Sequence, residues 1–330
     1  MRYVLMTEPQ QGMSYADQLA IAQRAEANGF EAFFRSDHFA SLAGTSGMAT
    51  TDAWTVLAGI ARETSRIGLG VLMSPVTFRH PGVLAKVVTT VDEMSGGRVE
   101  VGVGAGWNEA EHQQLGLVFP SIKERADLLE DQLAVLHGLW GEPDGWSYSG
   151  VTGLQVTGAL FRPRPVEVFG RPSTSIGSSR PRVIVGGQGT PRSFRLAARY
   201  ADEFNLSSAS PGRAAVVSKQ LEEACRAIGR DPSSLDLSVM VGILIGRTPR
   251  EVDSREQELL NAMGADETGS REAWLEERQS QWLFGQPDEA REQVARFEVA
   301  GIDRLVLQDF LPWDLNMVEL IGEGLVEGSG

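Results

Sequence analysis

The chain has 330 residues, 42% of them hydrophobic, which is enough apolar material for one large core. Thirty lysines and arginines against 44 aspartates and glutamates give a formal charge of −14, which argues against a nucleic-acid footprint. The 37 glycines and 15 prolines suit many short turns, and no apolar run is long enough to span a bilayer.

The elements follow one another as strand and helix. Tyr3-Val4-Leu5-Met6 reads as a buried strand, and a helix runs from about Ser14, its candidate cap, to Ala27. A short strand over 31–35 leads into Ser36-Asp37-His38-Phe39. The small polar loop over 40–51 suits a mobile lid. Asp52 starts a second helix, 66–72 forms a third strand, and Pro81 opens a third helix carrying Leu84, Val87, Val91 and Met94 at helical spacing. The fourth strand, Val99-Glu100-Val101, feeds Gly102, Gly104 and Gly106, then Trp107, Asn108, Glu109, Glu111 and His112. Ser121 to Glu124 has the form of a capping box, and Ile122, Ala126, Leu129, Leu133, Leu136 and Trp140 make one stripe.

Residues 141–180 break the rhythm with prolines and glycines and read as an insertion with room for a hairpin, either pocket-shaping or a surface excursion. The alternation then resumes, with strands at 182–185, 203–206, 235–245 and 304–308. Strands that read as apolar runs between helices predict a parallel sheet. Eight strand-helix units predict a single closed (β/α)8 TIM barrel over 1–330.

In such a barrel ligands bind at the C-terminal ends of the strands. His38 ends the second strand and is the best candidate for proton transfer, with Glu109 or Glu111 as its partner. Gly102 to Gly106 lacks the glycine that a dinucleotide fingerprint needs at its sixth position, where Trp107 stands. Gly186-Gly187-Gln188-Gly189, with Thr190 as cap and Pro191 as first helical residue, offers backbone N–H groups at a helix start. Arg192 in that first turn opposes the helix dipole unless an anion sits there; the alternatives are a phosphate site and a plain turn. His38, His80, His112 and His137 are scattered and no HExxH occurs, so no metal site is expected. Cys225 reads as a core thiol, and with no secretory h-region at the start the expected place is the cytoplasm.

Three runs carry a resemblance. SDHF at 36–39, RIGLGVLMSPVTFRHPGVLAKVVTTVDEMSGGRVEVGVGAGWNEAEH at 66–112 and VIVGGQGTPRSFRLAARYADEFN at 183–205 resemble the bacterial luciferase-like superfamily, and more narrowly its coenzyme F420-dependent oxidoreductases. GQPDEAREQVARFEVAGIDRLVLQDF at 285–310 is similar to the family's closing unit. The resemblance implies a deazaflavin ring at the barrel mouth, leaning on a bulged third strand around Gly70, Val71 and Leu72, where members often have a non-prolyl cis peptide. Gly104, Ala105, Gly106, Trp107 and Asn108 would form one wall of its pocket, with Ser36 nearby. Its phosphate would rest on Gly186, Gly187, Gln188, Gly189 and Thr190. His38 matches the family's histidine near the reactive carbon, whereas Trp107 stands where some members have glutamate, leaving Glu109 as the nearest acid. The implied activity is hydride transfer with a small-molecule substrate. The alternatives are an FMN-dependent monooxygenase using oxygen and a non-catalytic flavin-binding barrel. A homodimer through barrel helices is also implied.

Overall fold

The structure, a computed structural model, describes residues 1–41, 47–167, 180–263 and 271–327. The strands are β1 (Arg2–Thr7), β2 (Ala32–Arg35), β3 (Gly68–Pro75), β4 (Val99–Gly104), β5 (Trp146–Ser149), β6 (Gln155–Ala159), β7 (Arg182–Gly187), β8 (Glu203–Ser207), β9 (Asp236–Ile245), β10 (Leu283–Gly285) and β11 (Arg304–Asp309). Eight of them pair in the order β9-β11-β1-β2-β3-β4-β7-β8, and β8 pairs back onto β9. Every pair in that ring is parallel, so the predicted closed barrel is the observed one. β10 extends β9 at its C-terminal end, and β5 and β6 form an antiparallel hairpin in the 141–180 segment.

The helices are α1 (Tyr15–Ala27), α2 (Ala53–Glu63), α3 (Pro81–Ser95), α4 (Glu109–Leu115), α5 (Ile122–Gly141), α6 (Pro191–Tyr200), α7 (Pro211–Ala227), α8 (Pro249–Ala262), α9 (Arg271–Gln281), α10 (Pro287–Val299) and α11 (Leu315–Ile321). Their starts follow the sequence. Ser14 and Ser121 cap α1 and α5 in full capping boxes, Thr190 caps α6, and Pro191 occupies the first helical position. The α5 stripe is buried at Leu129, Leu133, Leu136 and Trp140, but Ile122, in the first turn, stays exposed. Residues 42–46 of the expected lid lie outside the described residues.

Alternation along each strand divides the core in two. Val4, Met6, Ala32, Phe34, Leu72, Ile184 and Val306 fill the barrel, while Tyr3, Leu5, Phe33, Val101 and Leu305 pack outward against the helices. The N-terminal end of the barrel is closed by charge. Arg304, fully buried, pairs with Glu31 (2.8 Å), Glu100 (2.6 Å) and Glu203 (3.0 Å), and Arg182 pairs with Glu203 (3.1 Å) and Asp236. The open end is therefore the C-terminal one.

Candidate active site

The β2 end is fixed from below and from the side. Arg35, fully buried, donates to Gln18 Oε1 (2.9 Å), Thr51 Oγ1 (3.0 Å) and the Thr51 carbonyl (2.9 Å), which ties the strand to α1 and to the approach to α2. Asp37, also buried, accepts from Ser74 Oγ (3.0 Å) and pairs with Arg79, which in turn holds Asp52. Trp54 Nε1 donates to the same Ser74 hydroxyl at 3.0 Å. Asp37 is thus committed to structure, and the next residue, His38, is the one presented to the mouth.

His38 Nδ1 lies 3.0 and 3.1 Å from the two oxygens of Glu111, and Phe39 N donates to Glu111 Oε2 at 3.1 Å. The carboxylate accepts the Nδ1 proton, which leaves Nε2 for other chemistry. Burial by itself lowers the His38 pKa; the hydrogen bond and charge of Glu111 outweigh it, so the net shift is upward. The partner is therefore Glu111 and not Glu109. Glu109 is exposed and accepts from Gln113 Nε2, one turn on (3.1 Å). The reason is α4, a helix that strand-and-stripe reasoning did not predict. At about 100° per residue, side chains two apart point to nearly opposite sides. Glu111 is 1% exposed.

α4 is anchored at a second point. His112 Nδ1 donates to the Asn108 carbonyl (2.6 Å), and its Nε2 meets Thr77 Oγ1 (2.6 Å) on the loop after β3. Asn108 caps the helix by accepting from Ala110 N at 3.2 Å. Trp107 is 67% exposed and stands edge-on to His38, with ring centroids 5.6 Å apart. Ala105, Gly106 and Asn108 are half-buried beside it.

The glycines divide by what faces them. A Cβ on Gly102 would meet the Val71 carbonyl at 2.5 Å, so Gly102 makes room for β3 itself. Gly106 has φ +79°, which favours glycine, whereas Gly104 has only ordinary contact with Met73. The bulge in β3 lies between Val71 and Ser74, and the Leu72–Met73 peptide is cis. Gly70, Val71 and Leu72 are buried, with the Phe34 ring over Gly70. The residue of that strand that reaches the mouth is Met73, whose side chain covers Gly186.

The Gly186–Thr190 turn opens α6 as predicted, and Thr190 N donates to Ser193 Oγ at 2.8 Å. Arg192 is accounted for without an anion, because it pairs with Asp127 (2.6 Å) and Glu130 (3.0 Å) of α5. The cation at the turn is instead Arg213, exposed, whose Nη2 donates to the Gln188 carbonyl (2.9 Å) and lies 3.2 Å from where a Gly189 Cβ would be. Nothing in the sequence around Arg213 singled it out; it belongs to the next strand-helix unit.

In the floor of the mouth, the residue that sequence reasoning did not single out is Gln10, which links Glu8 to Ser36. Glu8, nearly buried, accepts from Gln10 Nε2 (2.7 Å) and from Gln308 Nε2, and Ser36 donates to Gln10 Oε1 at 2.7 Å. Ser36 is thus held within this polar floor. His137 sits away from the site, its Nε2 donating to the Tyr200 carbonyl at 2.7 Å. A groove lined by Cys225, Asp231 and Asp303 lies at the other end of the barrel. Among the described residues no His, Cys, Asp and Glu group is arranged to hold a metal ion, and no helix is long and apolar enough to cross a membrane.

A barrel with this mouth is matched over residues 1–304 by the model of the luciferase-like monooxygenase family. The chain belongs to that family. This luciferase-like chain is 28% identical over 322 residues to an F420-dependent glucose-6-phosphate dehydrogenase of Beutenbergia cavernae, covering 89% of the chain and 87% of the relative. A protein of the same description from Nakamurella multipartita is 32% identical over 201 residues, 60% of the chain and 53% of that relative's length. Among solved structures, the monooxygenase RslO1 of Streptomyces bottropensis superposes on the luciferase-like barrel with TM-score 0.82 at 19% identity and full coverage of both chains, a likeness of fold.

Proposed function

We propose that this luciferase-like chain is an oxidoreductase that moves a hydride between coenzyme F420 and a small organic substrate, with His38 as the proton-transfer residue. The observation that carries the reading is the His38–Glu111 pair at the end of β2, beside the Gly104–Asn108 wall. The two F420-dependent relatives, one of them aligned over nearly the whole chain, support the choice of cofactor.

The residues present fit such a group. Gly189, with φ +79°, stands in the turn before α6 beside the Arg213 guanidinium, a cation that suits a phosphate. Met73 and the Gly104–Asn108 wall would flank the ring. When bound, the deazaflavin supplies a carbon that carries hydride. His38 Nε2 would take the proton from a substrate hydroxyl, or return it to a carbonyl, while Glu111 holds the imidazole and stabilises its charged form. Glu8, held by Gln10 and Gln308, would keep the floor polar near the substrate oxygen.

Titrating the protein with F420 and with FMN tests the assignment. F420 is expected to bind and FMN to bind weakly. Tight FMN binding with oxygen consumption on reduction would instead support the monooxygenase reading, which the family model and the RslO1 fold keep in view.

A further inference from the structure

Three aromatic side chains gather beside the C-terminal ends of β9 and β11, and the mechanism above uses none of them. Trp282, just before β10, lies where a Cβ on Gly242 of β9 would be, with the atoms of its ring fusion nearest. Gly242 pairs in register with Gln308, whose amide reaches Glu8. Phe310, two residues past Gln308, stacks on Trp282 with ring centroids 5.0 Å apart and planes 8° from parallel. Trp274 of α9 meets Trp282 edge-on at 6.4 Å. Trp282 and Phe310 are both only half-buried.

Their place in the ring of strands is what matters. β9 and β11 each stand four strands round from β3 and β4 respectively, which is the opposite side of an eight-stranded barrel. The Met73 and Trp107 side of the mouth is the one assigned to the cofactor ring, so the aromatic stack stands on the side left for substrate. The cation at the stack, Arg278, lies over the Trp274 ring at 3.9 Å and pairs with Glu277 (2.7 Å). The charged groups that follow β1 and β2 at the mouth are Glu8, Asp37 and His38, with Glu111 behind His38, and the one that follows β11, Asp314, pairs with Arg255 (2.6 Å). Of the guanidiniums beside them, Arg79 is taken up by Asp37 and Asp52, and Arg35 donates to Gln18 and Thr51. A phosphorylated sugar would meet carboxylates and flat apolar rings where it needs cations.

We propose that the substrate is a neutral, flat, largely apolar alcohol or ketone whose body rests against Phe310 and Trp282 and whose oxygen points toward His38. Aromatic rings suit such a body because offset stacking adds to the burial of apolar area. The proposal rests on the oxidoreductase reading for what happens to the oxygen, but not for the binding itself.

The test is calorimetric titration of the full-length protein, with and without F420, using 2-acetylnaphthalene and glucose 6-phosphate as probes. The naphthyl ketone is expected to bind and glucose 6-phosphate not to. Trp282→Leu and Phe310→Leu are each expected to weaken the ketone on the order of ten-fold, with F420 affinity within about two-fold of the parent. Phe310→Leu keeps the test alive if Trp282→Leu does not fold. Glucose 6-phosphate binding as tightly as the ketone, no ketone binding in either state, or unchanged ketone affinity in the folded variants would overturn the proposal. Failure of F420 to bind would overturn the cofactor reading alone, because the ketone titration without cofactor still decides this one.

Discussion

Replacing Arg304 with methionine should cost this barrel far more than a surface charge would. The guanidinium is fully buried and faces three carboxylates, two of them within 2.8 Å and the third, Glu203, itself without exposure. Taking the cation away leaves Glu203 and Glu100 close together in the barrel base, with Arg182 alone to balance them. Breaking a buried pair by removing one partner costs about 3–5 kcal/mol. An unfolding entropy of about 2.1 cal/mol/K per residue over 330 residues is about 0.7 kcal/mol per degree, so the melting temperature should fall by about 4–7 °C. The deficit should depend on pH. Burial raises the pKa of Glu203, but Arg304 and Arg182 override it and hold it below the ordinary carboxylate range. Its stabilising contribution is therefore present above the ordinary carboxylate pKa and lost as pH falls through the lowered one. Parent and variant should converge on acidification, and Arg304→Met with Glu203→Leu should recover part of the loss. Calorimetry or circular dichroism melts from pH 7 to pH 2 measure this, because the pKa of Glu203 is lowered to about 2. A variant within about 1 °C of the parent at pH 7 would refute the reasoning, since such a shift falls far below the buried-pair cost.

Further outcomes follow from the site. His38→Ala should lower turnover by about 10²–10⁴-fold while leaving F420 affinity intact; unchanged turnover would remove His38 from the chemistry. Because Glu111 raises the His38 pKa, Glu111→Gln should move the acidic limb of the kcat/KM profile to lower pH, and a stationary limb would contradict the pairing. Gly189→Ala, at φ +79° and close to Arg213, should weaken F420 binding about ten-fold, whereas Gly187→Ala, with only ordinary contacts, should not; equal effects would speak against the turn as a phosphate site. His137 is pushed down from 6.5 to about 3 by burial and by the charge of Arg180. The unfolded chain therefore takes up a proton below pH 6.5 that the fold refuses, which costs about 2 kcal/mol by pH 5. Urea unfolding at pH 7 and pH 5 should show His137→Gln escaping that loss, and equal losses in both proteins would sink the argument.

Most of the fold was legible because its signals are local. Capping residues at Ser14, Ser121 and Thr190, first-turn prolines and eight apolar runs each state their element within a few residues. His38 was legible for the same reason, since it ends a strand whose end faces the mouth. Its partner was not. Glu109 and Glu111 are two residues apart, and only the seven-residue helix between Asn108 and Gly116 decides which faces inward. The partners of Arg192 were not legible either, because its countercharges, Asp127 and Glu130, come from α5, more than 60 positions earlier in the chain.

The sequence by itself determined the strand-helix alternation, the helix starts and the glycine turn before α6, because these depend on backbone preference and short-range hydrogen bonds. Only the tertiary structure decided what each glycine faces and which carboxylate holds His38. It alone brought Trp282 over Gly242 and beside Phe310, and gathered Glu31, Glu100, Glu203 and Arg304 at the barrel base. Closing the barrel pairs Arg2 with Arg304, from opposite ends of the chain, and the register between the strands is set by packing across the whole ring.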